Sequence, residues 1–312
     1  MTITYADLIL NPFTITAEPQ PQTLKRTMPY TIDQGFRQLR TNLEISNLQT
    51  STVSTRQRNV REAVADRLSV ETSFLTGSYM RSTMIAPLKR ADIDIFLVMD
   101  AGYFDPNGQA ALLDRVKRAL LKTYKTPDIS RNGRAVTIQF SDFIVDVVPG
   151  FLRSGGGYLI PDSRNKLWIA TDPMRHVELW TETNKAHGGN FVPLIKMIKA
   201  WNVSYSRLLG SFHLETLARQ VLTGITISSF PSGARFFFDR ARALIPHVLS
   251  DPAGYPGGVG RTTQAERAGI LSRMETALSR ARAAEQLASN GNIEGAYDKW
   301  RLVFGGYFPA YG

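Results

Sequence analysis

The chain has 312 residues, 43% hydrophobic and 21% charged, the composition of a globular protein with room for a real core in one large or two smaller lobes. It holds no cysteine, which excludes disulfides, zinc–thiolate sites and thiol nucleophiles. The formal net charge of +10 favours nucleotides, nucleic acid or acidic surfaces as partners, yet Lys and Arg are scattered rather than gathered into a tract, which fits general solubility equally well.

No apolar run approaches the ~20 residues a membrane helix needs. The N-terminus has no basic segment before an apolar stretch and so does not read as a signal peptide. A cytoplasmic protein away from membranes is expected. Residues 1–29, with Pro12, Pro19, Pro21 and Pro29 and little periodicity, read as an extended arm. From Thr31 the pattern turns helical, with Ile32, Phe36, Leu39 and Leu43 on one stripe and Thr31 or Asp33 as the cap. A second helix is expected at about 53–69, with Val53, Val60, Val64 and Leu68 inward. Its Arg56, Arg58, Arg61 and Arg67 face outward, more plausibly a solvated face than a phosphate track.

The stretch 76–94, TGSYMRSTMIAPLKRADID, concentrates the chemistry. Gly77 and Ser78 form a turn after a short strand, offering backbone N–H groups and a hydroxyl to a phosphate. Asp92 and Asp94 then open a second strand that continues into the apolar 95–99. Residues two apart on a strand share a face, so the two carboxylates lie side by side. They repel unless a cation sits between them, and all-oxygen ligands suit a hard divalent ion such as Mg²⁺.

Ala110, Leu113, Val116 and Leu120 mark a helix, 131–134 is a turn, and 135–140 with 143–148 have hairpin spacing around Ser141 and Asp142. Asp146 lies between Val145 and Val147, where a carboxylate is costly to bury without a cation or donors. The solvent face of an edge strand would explain it alone; beside Asp92 and Asp94, a third carboxylate on an adjacent strand is the preferred reading. Residues 150–190, rich in Gly and Pro, read as a loop-rich connection lining a cleft. Residues 191–201 are apolar nearly all round and predict a central helix. Its Lys196 and Lys199 need either an anion or an exit to solvent. Ser211 opens the next helix as an N-cap or as a phosphate contact. Thr263 with Glu266 forms a capping box for a helix reaching about 287, and the last helix spans Ile293–Phe304, with Ala296, Trp300 and Phe304 as its core face. The four histidines have no metal-ligand spacing, and His213 and Glu215, two apart on a helix, face different ways.

Gly77-Ser78, Asp92-x-Asp94 and Asp146 on a following strand resemble the polymerase-β-like nucleotidyltransferases. The segments LTGSYMRSTMIAPLKRADIDIFLVM, DFIVDVVPGF, FVPLIKMIKAWN, SFHLETLA and KWRLVFGGYFP, in that order, resemble the bacterial CD-NTases, relatives of animal cyclic GMP-AMP synthase and oligoadenylate synthetase. The likeness covers about Thr31 to Pro309 and leaves out the arm. It implies an α/β (α+β) bilobal fold: an arm at 1–29, a nucleotidyltransferase core at 30–160 whose mixed sheet carries the aspartates, and a mainly helical lobe at 161–312 closing the cleft. It implies that Asp92, Asp94 and Asp146 bind two Mg²⁺ ions, with Mn²⁺ as substitute, and that Gly77, Ser78, Lys199 and Ser211 hold a donor triphosphate. The implied activity joins nucleoside triphosphates into a cyclic di- or trinucleotide and releases pyrophosphate, in CBASS anti-phage signalling through an effector that reads the product. Nucleic acid is not required; regulatory protein partners belong to the same implication. A linear or single-transfer nucleotidyltransferase and a nucleic-acid-binding sensor are the alternatives.

Overall fold

The structure is a computed structural model that describes residues 31–312; the arm expected at 1–29 lies outside the described residues. The chain begins with α1 (Ile32–Asn42), where the Thr31 side chain accepts from the Gln34 amide and the Gln34 side chain accepts from the Thr31 amide. This capping box fixes the start of the helix. α2 (Asn47–Ala65) starts earlier than apolar spacing predicts, because its first turn is largely polar and gives no hydrophobic signal. β1 (Val70–Thr76), the short α3 (Gly77–Met80), β2 (Asp92–Met99) and α4 (Gln109–Thr123) follow, then β3 (Asp128–Arg131), β4 (Val136–Gln139) and β5 (Ile144–Leu152).

The region expected to be loop-rich instead forms β6 (Tyr158–Asp162), β7 (Leu167–Thr171) and α5 (Pro173–Ala186). Its glycines are confined to turns: Gly155, Gly156 and Gly157 all have positive φ and reverse the chain between β5 and β6. The helical part comprises α6 (Phe191–Ser204), α7 (Ser211–Leu222), α8 (Phe230–Ala241), α9 (Gln264–Ser289) and α10 (Ile293–Phe304). Thr263 and Glu266 form the expected capping box on α9.

The strands form one mixed sheet in the order β1-β2-β5-β4-β3, with β6 pairing both β5 and β7. β1 and β2 are antiparallel, β2 and β5 parallel, and β4 and β5 the antiparallel hairpin that the Ser141-Asp142 spacing predicts. Along β2, Ile93, Ile95, Leu97 and Met99 all point into a core shared with Val53 and Val60 of α2 and Leu113 and Val116 of α4. The opposite face of β2 carries Asp92, Asp94 and Phe96. A second core gathers Leu194, Met197 and Trp201 of α6 with α8, α9 and α10.

α1 belongs to this helical core although the sheet follows it in sequence. Phe36 sets its ring edge-on against Trp300 at 4.9 Å and against Phe308 at 5.2 Å. The division at residues 160 and 161 is thus crossed by packing in both directions, with α1 among the helices and β7 in the sheet. Two arginines of α2 are tied within the protein: Arg56 pairs with Asp142 at 2.9 Å and lies over the Phe140 ring, and Arg61 donates to Ser73. No helix among the described residues is long and apolar enough to cross a membrane.

Phe36 is 1% exposed at the joint between α1 and α10, so Phe36→Ala should destabilise the fold by about 3–5 kcal/mol, the range for deleting a buried aromatic ring. Urea unfolding of the variant against the parent measures this, and a loss well under 1 kcal/mol would mean that α1 does not depend on that core.

Candidate active site

The site forms on the sheet face turned away from the α2–α4 core. In the parallel register of β2 and β5, Asp94 lies opposite Asp146, with Asp92 two residues along on the same face. Asp146 is anchored from β4: the Thr137 hydroxyl donates to its Oδ1 at 2.5 Å, and Asn132 Nδ2 reaches both of its oxygens at 3.4 Å. Beyond the aspartates the face becomes aromatic, with Phe96 stacked on Phe74 at 5.0 Å and Tyr158 at 4.9 Å from Phe96.

Burial pushes Asp94 up to about 7, aided by the neighbouring Asp146 and Asp92 carboxylates and opposed by Arg81. Burial also raises Asp92, against the pull of Arg207 and Lys199, and raises Asp146 despite its bond from Thr137. A divalent cation would relieve this crowding of negative charge, and the all-oxygen donors suit a hard ion. Among the described residues no three His, Cys, Asp or Glu side chains are gathered into a ready-made cation cage. The donor set fits an ion that takes one or two carboxylates and completes its shell with other oxygens.

The turn after β1 abuts the carboxylates. Thr76 pairs with Asp94 across the β1–β2 ladder, and Gly77 follows with φ +67°. A Cβ on Gly77 would lie 1.7 Å from Asp94 Oδ2, so only glycine lets the backbone pass. Next to it the Ser78 carbonyl accepts from the Thr83 and Met84 amides at 2.9 and 3.1 Å, which ties the turn down.

The helical core supplies the opposite side. Lys199 does not exit to solvent: its ammonium donates to Glu215 Oε1 at 3.0 Å. Lys196 is likewise buried and reaches Glu44 at 2.6 Å. Ser211 is the first residue of α7 rather than its cap, which is Gly210, and its hydroxyl turns inward to Glu215 Oε1 at 3.3 Å. A hydroxyl has one hydrogen and an ammonium three, so a phosphate would have to take Ser211 over from Glu215 whereas Lys199 keeps two free donors. Arg81, just past α3, donates from Nε to Glu215 Oε2 at 2.8 Å and lies over the Trp180 and Phe212 rings. Asn202 holds the connection to α7 by bonding both the Leu209 carbonyl at 2.7 Å and its amide at 3.0 Å, and Arg207 on that connection lies within electrostatic reach of Asp92.

The structure therefore sets Asp92, Asp94 and Asp146 on one sheet face, with the Gly77 turn against Asp94, and brings Lys199 and Ser211 together on one carboxylate. Glu215, Arg81, Asn202 and Arg207 are absent from the sequence-based set. For Glu215 a signal existed: a Lys buried in one apolar helix requires a counter-charge, and Glu215 is an acid in another apolar helix, four residues from Ser211. His213 does face away from Glu215, packing beneath Gly260. Burial alone would raise Glu215, but Arg81 and Lys199 outweigh it and hold the carboxyl at about 2. Lys199 is itself pulled below its ordinary value, because burial disfavours the ammonium more than Glu215 restores it.

A family model described as the Second Messenger Oligonucleotide or Dinucleotide Synthetase domain matches residues 30–184. The chain is 28% identical over 302 residues to a cyclic AMP-AMP-AMP synthase of Acinetobacter sp., with 89% of this chain and 86% of that protein covered. It is 22% identical over 278 residues to the CBASS oligonucleotide cyclase CdnC of Escherichia coli, covering 78% of this chain and 84% of the relative. Its fold matches the solved structure of E. coli CdnC with ATP at a TM-score of 0.71, with 16% identity and 89% and 99% of the two chains covered.

Two measurements probe this geometry. Gly77→Ala should cost about 1–2 kcal/mol from the left-handed backbone alone and should also displace Asp94, lowering Tm in thermal unfolding; an unchanged Tm would mean that the turn has room for a side chain. Because the folded value of Glu215 lies below its ordinary 4.5, its contribution to stability is complete above that pH and is lost as pH falls toward 2. The unfolding free energy should drop across that window by on the order of 3 kcal/mol more than in Glu215→Gln, and parallel pH profiles would contradict the buried ion triad.

Proposed function

The chain belongs to the bacterial CD-NTase nucleotidyltransferases, and from that premise we propose that it joins nucleoside triphosphates into a cyclic di- or trinucleotide and releases pyrophosphate. The observation that carries this reading is the parallel pairing of Asp94 with Asp146 directly beside the Gly77 turn, with the Lys199 ammonium of the second core within electrostatic reach of Asp92.

In this reading Asp92 and Asp94 would hold two divalent ions, Mg²⁺ with Mn²⁺ as substitute, and Asp146 completes the site at the attacking 3′- or 2′-hydroxyl. When bound, such an ion neutralises charge on the attacking and leaving oxygens of an in-line displacement. The chain's own part is positioning. The Gly77–Ser78 backbone cradles the donor triphosphate from the sheet side, and Lys199 and Ser211 reach it from the helical side. Thr137 and Asn132 keep Asp146 from turning away. Nucleoside triphosphates are then the small-molecule partners, the enzyme works in the cytoplasm, a downstream effector responds to the cyclic product in CBASS defence, and nucleic acid is not required.

Incubation with all four labelled triphosphates and Mg²⁺ or Mn²⁺ should give a phosphatase-resistant product whose mass lacks a terminal triphosphate. Label that stays wholly phosphatase-sensitive under both metals would sink the reading, and a product retaining its triphosphate would indicate linear transfer. Asp92→Ala and Asp94→Ala together should lower turnover by on the order of 10³-fold or more, as loss of several kcal/mol of charge stabilisation requires. Retained turnover in that folded variant would remove these residues from the site.

A further inference from the structure

Glu215 has no exposed surface, and both of its oxygens are engaged. Oε1 receives the Lys199 ammonium at 3.0 Å and the Ser211 hydroxyl at 3.3 Å, and Oε2 receives Arg81 Nε at 2.8 Å. The three donors come from three separate segments. Lys199 lies on α6 and Ser211 on α7, whereas Arg81 ends the segment that begins with Gly77 and Ser78. One acid thus ties the phosphate-facing groups of the helical core to the phosphate-facing turn of the sheet. Without it, two cations would be left buried together, an arrangement that is strongly unfavourable.

We infer that Glu215 is the positioning residue for the donor triphosphate, holding Lys199, Ser211 and the Gly77–Arg81 turn at one spacing while touching no nucleotide itself. The inference rests on the nucleotidyltransferase reading of the cleft and adds to it the device that sets its width. It uses one of the three ammonium hydrogens of Lys199 and so aims the remaining two. Arg81 is held in turn on the faces of Trp180 and Phe212, at 5.5 and 5.0 Å, so the sheet end of the tie has little freedom. Rigid donors at fixed spacing reduce the ordering that a triphosphate must otherwise impose on binding.

The test is equilibrium binding of labelled ATP with a divalent cation to the full chain, alongside steady-state kinetics. Glu215→Gln keeps the shape and removes the charge. It should weaken ATP binding by about 10-fold to 100-fold, the range for losing a partner that orients a ligating group. KM should rise more than kcat falls, and Glu215→Asp should recover part of the loss. In a Lys199→Ala background, Glu215→Gln should cost less than it does alone, because part of its effect passes through the lysine. A folded Glu215→Gln that binds ATP as the parent does, or effects that simply add to those of Lys199→Ala, would overturn the inference. If Glu215→Gln does not fold, the charge-balanced Glu215→Gln/Arg81→Gln variant decides by the same ATP measurement. Failure of both to fold would make Glu215 a folding residue and end the inference. A parent protein that binds ATP yet makes no cyclic product would retire the proposed function while leaving this test intact. A parent that makes the product beside a Glu215→Gln variant of undiminished ATP affinity would retire only the role of Glu215. No ATP binding by the parent would overturn both.

Discussion

Two carboxylates on neighbouring strands repel, and the parallel register of β2 and β5 imposes that repulsion on the fold by setting Asp94 beside Asp146. For charges about 5 Å apart at an effective dielectric near 20, the repulsion amounts to about 3 kcal/mol. The surroundings offset it in different ways. Thr137 and Asn132 donate to Asp146, Lys199 and Arg207 bear electrostatically on Asp92, and Arg81 bears on Asp94. Part of it stays unrelieved and adds to burial, the larger cause, in raising Asp94. A fold that keeps such a pair gives up some stability at this point, which is the pattern of a functional site rather than of a core built for stability alone.

The carboxylates were legible in the sequence because strand geometry is local. Asp92 and Asp94 at period two announce a shared face, and an isolated Asp146 among valines announces a buried charge that needs company. The hairpin of β4 and β5, the α9 capping box and the aromatic face of α10 were equally readable, since each depends on residues only a few positions apart. Glu215 was only half legible: the buried Lys199 called for a counter-charge nearby, but nothing local ties that acid to Arg81, 134 positions away. The strands β6 and β7 escaped for another reason. The three glycines that reverse the chain before β6 dominate the composition and hide two strands that alternate weakly.

The basic surplus also reads differently once the chain is folded. Arg56, Arg175, Arg235 and Arg242 pair with acids, and Arg81 and Lys199 converge on Glu215, so part of the cationic content is matched within the fold. Exposed pairs of this kind contribute little individually. The buried triad differs in kind, since burial penalises each of its charges and only their mutual geometry offsets that cost. It sits where the two cores meet, which is also where the sheet-borne carboxylates and the helix-borne lysine must be kept in step.

Gly77 packs its bare Cα against the Asp94 carboxylate, with no atom between backbone and acid. The distance between this turn and the carboxylate is therefore set by van der Waals contact, and any side chain added at position 77 would have to push the acid away. At this end of the cleft the molecule behaves as a ruler of fixed graduation. In the proposed reading, diversity in what such a scaffold accepts is then written at the other end of the cleft, away from this contact.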